Sequence, residues 1–69
     1  MRNDIHRPEV GDLLQSNNND DVVLILEKTL DNKSKCMVVY ASPDRKPWSV
    51  TVGSILKNIH FYKDAWEIL

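Results

Sequence analysis

Two histidines, one cysteine and a tryptophan preceded by two cations are the side chains of this chain with the most chemistry to offer. A nucleophilic site needs a serine or cysteine beside a positioned histidine. His6 lies in a polar N-terminal stretch and His60 near the opposite end. Cys36 sits inside the run Cys36-Met37-Val38-Val39, where a thiol serves as a small core side chain rather than a reactive one. Zinc takes about four ligands at paired spacings, and Cys36, His6 and His60 show no such pairing. Asn17, Asn18, Asn19, Asp20 and Asp21 supply oxygens but lack the glycine and distal glutamate of a calcium loop. Gly11 and Gly53 are isolated, so no glycine-rich loop can cradle a phosphate. This inventory predicts a non-enzymatic protein with no metal and no cofactor.

Binding chemistry is better represented. Arg45, Lys46, Pro47 and Trp48 place an aromatic ring just after two cations, an arrangement that stacks a base or grips an acidic peptide. The competing reading of Trp48 is a ring that closes the core beside a solvated turn. Tyr40 and Trp66 alternate with apolar neighbours in their segments and are expected inside. Lys35, Arg45, Lys46, Trp48 and Trp66 are therefore the candidate partner-binding residues. A net charge of −1 argues against a dedicated nucleic-acid binder. It conceals an uneven split: residues 1–32 carry three cations against seven acids, and residues 33–69 carry six against three. Strands from the two halves interleave in a small β fold, so this split need not become two poles.

The elements that must position these residues are short. With 69 residues the chain allows one domain, and a chain of that size buries only about 60% of the surface its unfolded form exposes. One cysteine rules out an internal disulfide as a staple. Residues 1–9 are polar apart from Ile5, and Pro8 favours extended backbone before it, so they read as an N-terminal arm with a minor role in the fold. Residues 10–69 then form the domain. Val10, Leu13 and Leu14 start a first strand, and residues 16–21 are a polar loop. Residues 22–30 begin with Val22-Val23-Leu24-Ile25-Leu26, the strongest strand signal in the chain. Its antiparallel partner is residues 35–41, with Cys36, Val38 and Tyr40 on one face and Met37, Val39 and Ala41 on the other. A turn at residues 42–46 leads to a short strand at residues 47–51. Val52, Ile55, Leu56 and Ile59 then fall at i, i+3, i+4 and i+7, which predicts about two turns of helix or a 3₁₀ turn, with Thr51 as N-cap. Residues 61–69 supply the last strand.

The order Pro8-Glu9-Val10-Gly11-Asp12-Leu13, polar loop, Val22-Val23-Leu24-Ile25-Leu26-Glu27, turn, Lys35-Cys36-Met37-Val38-Val39-Tyr40, turn, Trp48, helical turn and final strand resembles the small SH3-like barrels encoded by tailed bacteriophages. The resemblance covers residues 8–69. It implies a mainly β fold, a small SH3-like five-stranded barrel with a short helical turn before the last strand, and a role in binding or assembly. The asparagine loop stands where peptide-binding SH3 domains carry an acidic-aromatic one, so polyproline recognition, which needs an aromatic-lined groove, is not implied. The expected partner is a protein, engaged through a barrel face or an exposed strand edge, with a homo-oligomer formed through the apolar C-terminal strand as one form of this. Nucleic acid, bound by the basic and aromatic turn, is the alternative. No apolar stretch approaches the roughly 20 residues of a membrane span, no leader pattern opens the chain, and a lone thiol fits a reducing compartment. The expected location is the cytoplasm, the host's if the gene is a phage's.

Overall fold

The computed structural model describes residues 5–29, 32–43 and 51–69. Their architecture is one antiparallel sheet of five strands, β1 Leu13–Ser16, β2 Val22–Lys28, β3 Ser34–Tyr40, β4 Ile55–Ile59 and β5 Trp66–Ile68, in the spatial order β4-β3-β2-β1-β5. Four strands follow one another as a meander, and the fifth returns to pair with the first. Alternation along β2 and β3 puts Val23, Ile25, Cys36 and Val38 on one face, where Leu14 and Phe61 complete the buried core. Leu56 and Ile59 from one edge strand and Trp66 from the other pack against that same cluster. The sheet is thus curled round its core, although no ladder joins β4 to β5 among the described residues. No helix is found there, and so none long and apolar enough to cross a membrane.

The asparagine loop is a tight, self-satisfied connection. Ser16 N–H donates to the Asp21 carbonyl at 2.8 Å and Asp20 N–H returns to the Ser16 carbonyl at 3.1 Å. The Asn19 side-chain oxygen accepts from Asp21 N–H at 3.3 Å. Asp20 adopts φ 63°, a left-handed conformation that Asp and Asn tolerate better than other residues. Asp21 itself is buried, and its carboxylate accepts the Ser42 N–H at 2.8 Å, tying the loop to the end of β3.

Bulges explain where the fold departs from expectation. On β3, Val22 faces Tyr40 while Val23 faces Val38, so two residues of β3 are consumed against one of β2. The extra residue reverses the alternation. Tyr40, expected in the core beside Cys36 and Val38, is turned outward and is 48% exposed. On β4, Cys36 pairs with Leu56 and Ser34 with Ile59, so three residues advance against two, with Asn58 at φ 55°. Leu56 and Ile59 reach the same core although three positions apart. That spacing imitates a helical face, and the helix expected over residues 52–59 is instead a turn at Val52-Gly53 followed by β4. Gly53 takes φ 95°, and its N–H donates to the Val38 carbonyl at 2.7 Å, setting β4 against β3. The predicted strand at residues 47–51 lies outside the described residues apart from Thr51, which is not in a strand.

The N-terminal residues contribute more than the minor role expected of an arm. Pro8 is fully buried, and Ile5 forms a β-bridge with Tyr62. His6 N–H donates to the Phe61 carbonyl at 2.7 Å. The His6 ring lies with Nε2 2.9 Å from the Trp66 carbonyl, a contact that requires the proton on Nε2. The residues flanking β5, Ala65 and Leu69, bond Asn17 and Leu13 on the β1 side, and the alternation of an antiparallel ladder therefore turns the main-chain groups of Trp66 to the free edge. Both are engaged there, the N–H by the Tyr62 carbonyl at 2.9 Å and the carbonyl by His6.

Candidate binding pocket

A pocket of about 300 Å³ opens in the gap between the two edge strands. Its apolar wall is made by Val23 and Val38 from the centre of the sheet, Leu56 and Ile59 from β4, and Ala65 and Trp66 at the start of β5. The rim is polar and comes from one place, the β1–β2 loop, through Ser16, Asn18, Asn19 and Asp21. Trp66 is held from behind. Its ring meets Phe61 edge to face, centroids 5.0 Å apart and planes at 90°, and Phe61 is fully buried. Such a pair adds about 0.5–1.5 kcal/mol beyond area burial and fixes the ring's orientation. The contact of His6 with the Trp66 carbonyl fixes the backbone under the same residue.

This arrangement can hold an apolar group and orient it by hydrogen bonds at the rim, the general composition of small binding sites. The volume is at the small end of ligand pockets, whose range is roughly 300–1,000 Å³. One aromatic or branched aliphatic group fits that space better than a cofactor. Among the described residues Asp21 is the one titratable side chain that lines it. His60 meets Tyr62 edge to face, with ring centroids 5.8 Å apart and Nδ1 3.5 Å from the Tyr62 hydroxyl. Cys36 is buried, and desolvation pushes its thiol up from 9.0 to about 11, leaving it protonated at neutral pH. Among the described residues no three His, Cys, Asp or Glu side chains gather as metal ligands would.

The residues singled out from sequence are dispersed. Trp66 lines the pocket. Lys35 stands between buried Ser34 and Cys36 and so points away from the core, with Nζ 3.8 Å from Glu27 Oε1. Trp66 and Lys35 therefore belong to opposite faces of the sheet. Arg45, Lys46 and Trp48 lie outside the described residues. What sequence reading missed is the pocket's rim and far wall. Asn18, Asn19 and Asp21 read only as a solvated loop, and Leu56 and Ile59 as one face of a helix. The signal for the second was present in Gly53, which favours a turn over a helix interior. Compared with family models, with curated proteins and with solved structures, the chain shows no match.

Proposed function

We propose that this chain is a small SH3-like barrel, left open between β4 and β5, that acts as a non-enzymatic binding module and seats one apolar side chain of a protein partner in that opening. The pocket lined by Trp66, Leu56 and Ile59 and rimmed by the asparagine loop is the observation that carries this reading. Anchor residues in desolvated pockets supply most of the energy of many protein interfaces, and Trp66 is braced by Phe61 and His6 as such a wall should be. The meander whose last strand returns to β1, with both edges packed on one core, supports the barrel part of the reading. The resemblance to phage-encoded barrels makes a host complex or a phage assembly the class of partner.

A displayed peptide library panned against the full chain tests it. Enriched sequences should share one large apolar residue, and their binding should be lost in Ala65→Leu, which fills the pocket from its wall while leaving the strand register alone. Peptides that bind the folded Ala65→Leu variant equally well would overturn the assignment. Fluorescence anisotropy with single-stranded RNA and DNA supplies the outcome that would replace it, namely tight binding that weakens steeply with salt.

A further inference from the structure

β4 is an edge strand, and among the described residues no strand pairs with its outer side. Its inner side bonds β3. The Ser54 carbonyl accepts the Val38 N–H at 2.9 Å, and the ladder continues through Ile55 opposite Met37 and Leu56 opposite Cys36. Because hydrogen-bonded and non-hydrogen-bonded pairs alternate in an antiparallel ladder, Leu56 turns its main-chain groups to β3 while Ile55 and Lys57 turn theirs to the open side. Side chains alternate over the same three residues. Leu56 is half-buried and lines the pocket, whereas Ile55 and Lys57 are exposed on the other face. The opposing edge is closed at the pocket, since both outward main-chain groups of Trp66 on β5 are taken, by Tyr62 and by His6.

We infer, resting on the pocket as the seat of a partner's apolar side chain, that the partner enters the gap as an extended segment and adds to β4 as a further strand. Its main chain bonds the outward N–H and carbonyl of Ile55 and of Lys57. β4 and β5 both run parallel to β2, because each is separated from it by one antiparallel neighbour. A segment antiparallel to β4 is therefore antiparallel to β5 as well, the only direction used in this sheet. Register and chemistry follow. The residue opposite Leu56 shares the face of Leu56 and falls into the pocket that Leu56 and Trp66 line, while its two neighbours face outward beside Lys57 and Ile55. Lys57 makes no ion pair among the described residues, so a carboxylate placed opposite it meets an uncompensated cation. From its N-terminus, the segment thus presents an acidic residue to Lys57, a large apolar anchor to the pocket, and an apolar residue to Ile55. Beyond Lys57 the left-handed Asn58 and its bulge end the regular edge. The contact is confined to three residues, and a single peptide binds weakly.

The probe is a capped heptapeptide with Glu, Leu and Val at its centre in that order and threonines on either side, titrated into the isotope-labelled full chain up to about 1 mM. The Ile55 and Lys57 amide protons should move downfield and exchange more slowly as they become donors. Methylating the main-chain nitrogen of the peptide's Val, which donates to the Ile55 carbonyl, should weaken binding about tenfold or more. Methylating that of its Leu, which points away from β4, should cost far less. Lys57→Glu, at an exposed position, should weaken the peptide, and replacing the peptide's Glu by Lys should restore it. Unmoved Ile55 and Lys57 amides, equal losses from the two methyl groups, or no binding at the highest concentration overturns strand addition. The same amide shifts on concentrating the chain without peptide overturn it too, by giving the edge to a second copy. Ala65→Leu separates the two readings: if it abolishes binding while both methylated peptides bind alike, the pocket stands and strand addition falls. If Ala65→Leu binds normally while the methyl groups differ, the pocket is what fails.

Discussion

Phe61 gives the sharpest test of how this small core holds its pocket. It is fully buried, is packed among Leu14, Val23, Ile25, Cys36 and Val38, and meets Trp66 edge to face at 5.0 Å. Truncating a buried phenylalanine to alanine costs about 3–5 kcal/mol, from lost transfer energy and the cavity left behind. At roughly 0.05–0.15 kcal/mol per residue, a domain of this length has only about 3–10 kcal/mol in total. Phe61→Ala should therefore leave the chain largely unfolded or close to it. Phe61→Leu keeps most of the volume but removes the ring pair, so its cost should be about 1–2 kcal/mol. In a urea titration followed by far-ultraviolet circular dichroism, with a slope of roughly 1 kcal/mol per molar, that cost lowers the midpoint by about 1–2 M. Trp66 also loses the brace that aims it at the pocket, so peptide binding by the folded Phe61→Leu variant should weaken as well. A wild-type midpoint in Phe61→Ala would refute the placement of this ring at the centre of the fold.

Two further outcomes are expected. His6→Ala removes the Nε2 donor of the Trp66 carbonyl, at a cost of about 0.5–1.5 kcal/mol, and opens the edge of β5. Its thermal midpoint should fall by several degrees, and an unchanged midpoint would show that the N-terminal residues do not secure this edge. Burial raises the Cys36 thiol from 9.0 to about 11, so the folded state favours the neutral form. The stability this confers is present below pH 9 and is lost as pH rises through about 11. Because tyrosines and lysines titrate in the same range, the readout is the difference in pH slope between wild type and Cys36→Ala. Equal slopes from pH 9 to 11 would contradict the burial of the thiol as the cause.

The main β character, the hairpin of β2 with β3 and the burial of Cys36 are written in local pattern. Val22-Val23-Leu24-Ile25-Leu26 and Lys35-Cys36-Met37-Val38-Val39 have little choice but to pair, because only strands satisfy their backbone groups while burying alternate side chains. The rim of the pocket was legible as a loop, since no apolar residue lies between Ser16 and Asp21. Its closeness to Trp66 was not, because it depends on β1 pairing with β5 across some fifty residues of chain.

Tertiary structure decided the phase of the strands. A bulge adds one residue to one strand and swaps the faces beyond it, and nothing in Val38-Val39-Tyr40 or Leu56-Lys57-Asn58-Ile59 marks where that occurs. The register with the neighbouring strand fixes it, by pairing Val22 with Tyr40 and Ser34 with Ile59. Tyr40 is thereby sent outward, and an apparent helical period becomes an edge strand. His6 shows the same division. Its sequence neighbours make it part of a polar arm, while its role as the cap on Trp66 exists only because Ile5 and Tyr62 are brought together. The sequence by itself determined which segments are strands and which side chains are apolar enough to need burial. Which face each strand shows to the core, and therefore where the pocket opens, was settled by long-range pairing, because strand register is a property of two segments at once.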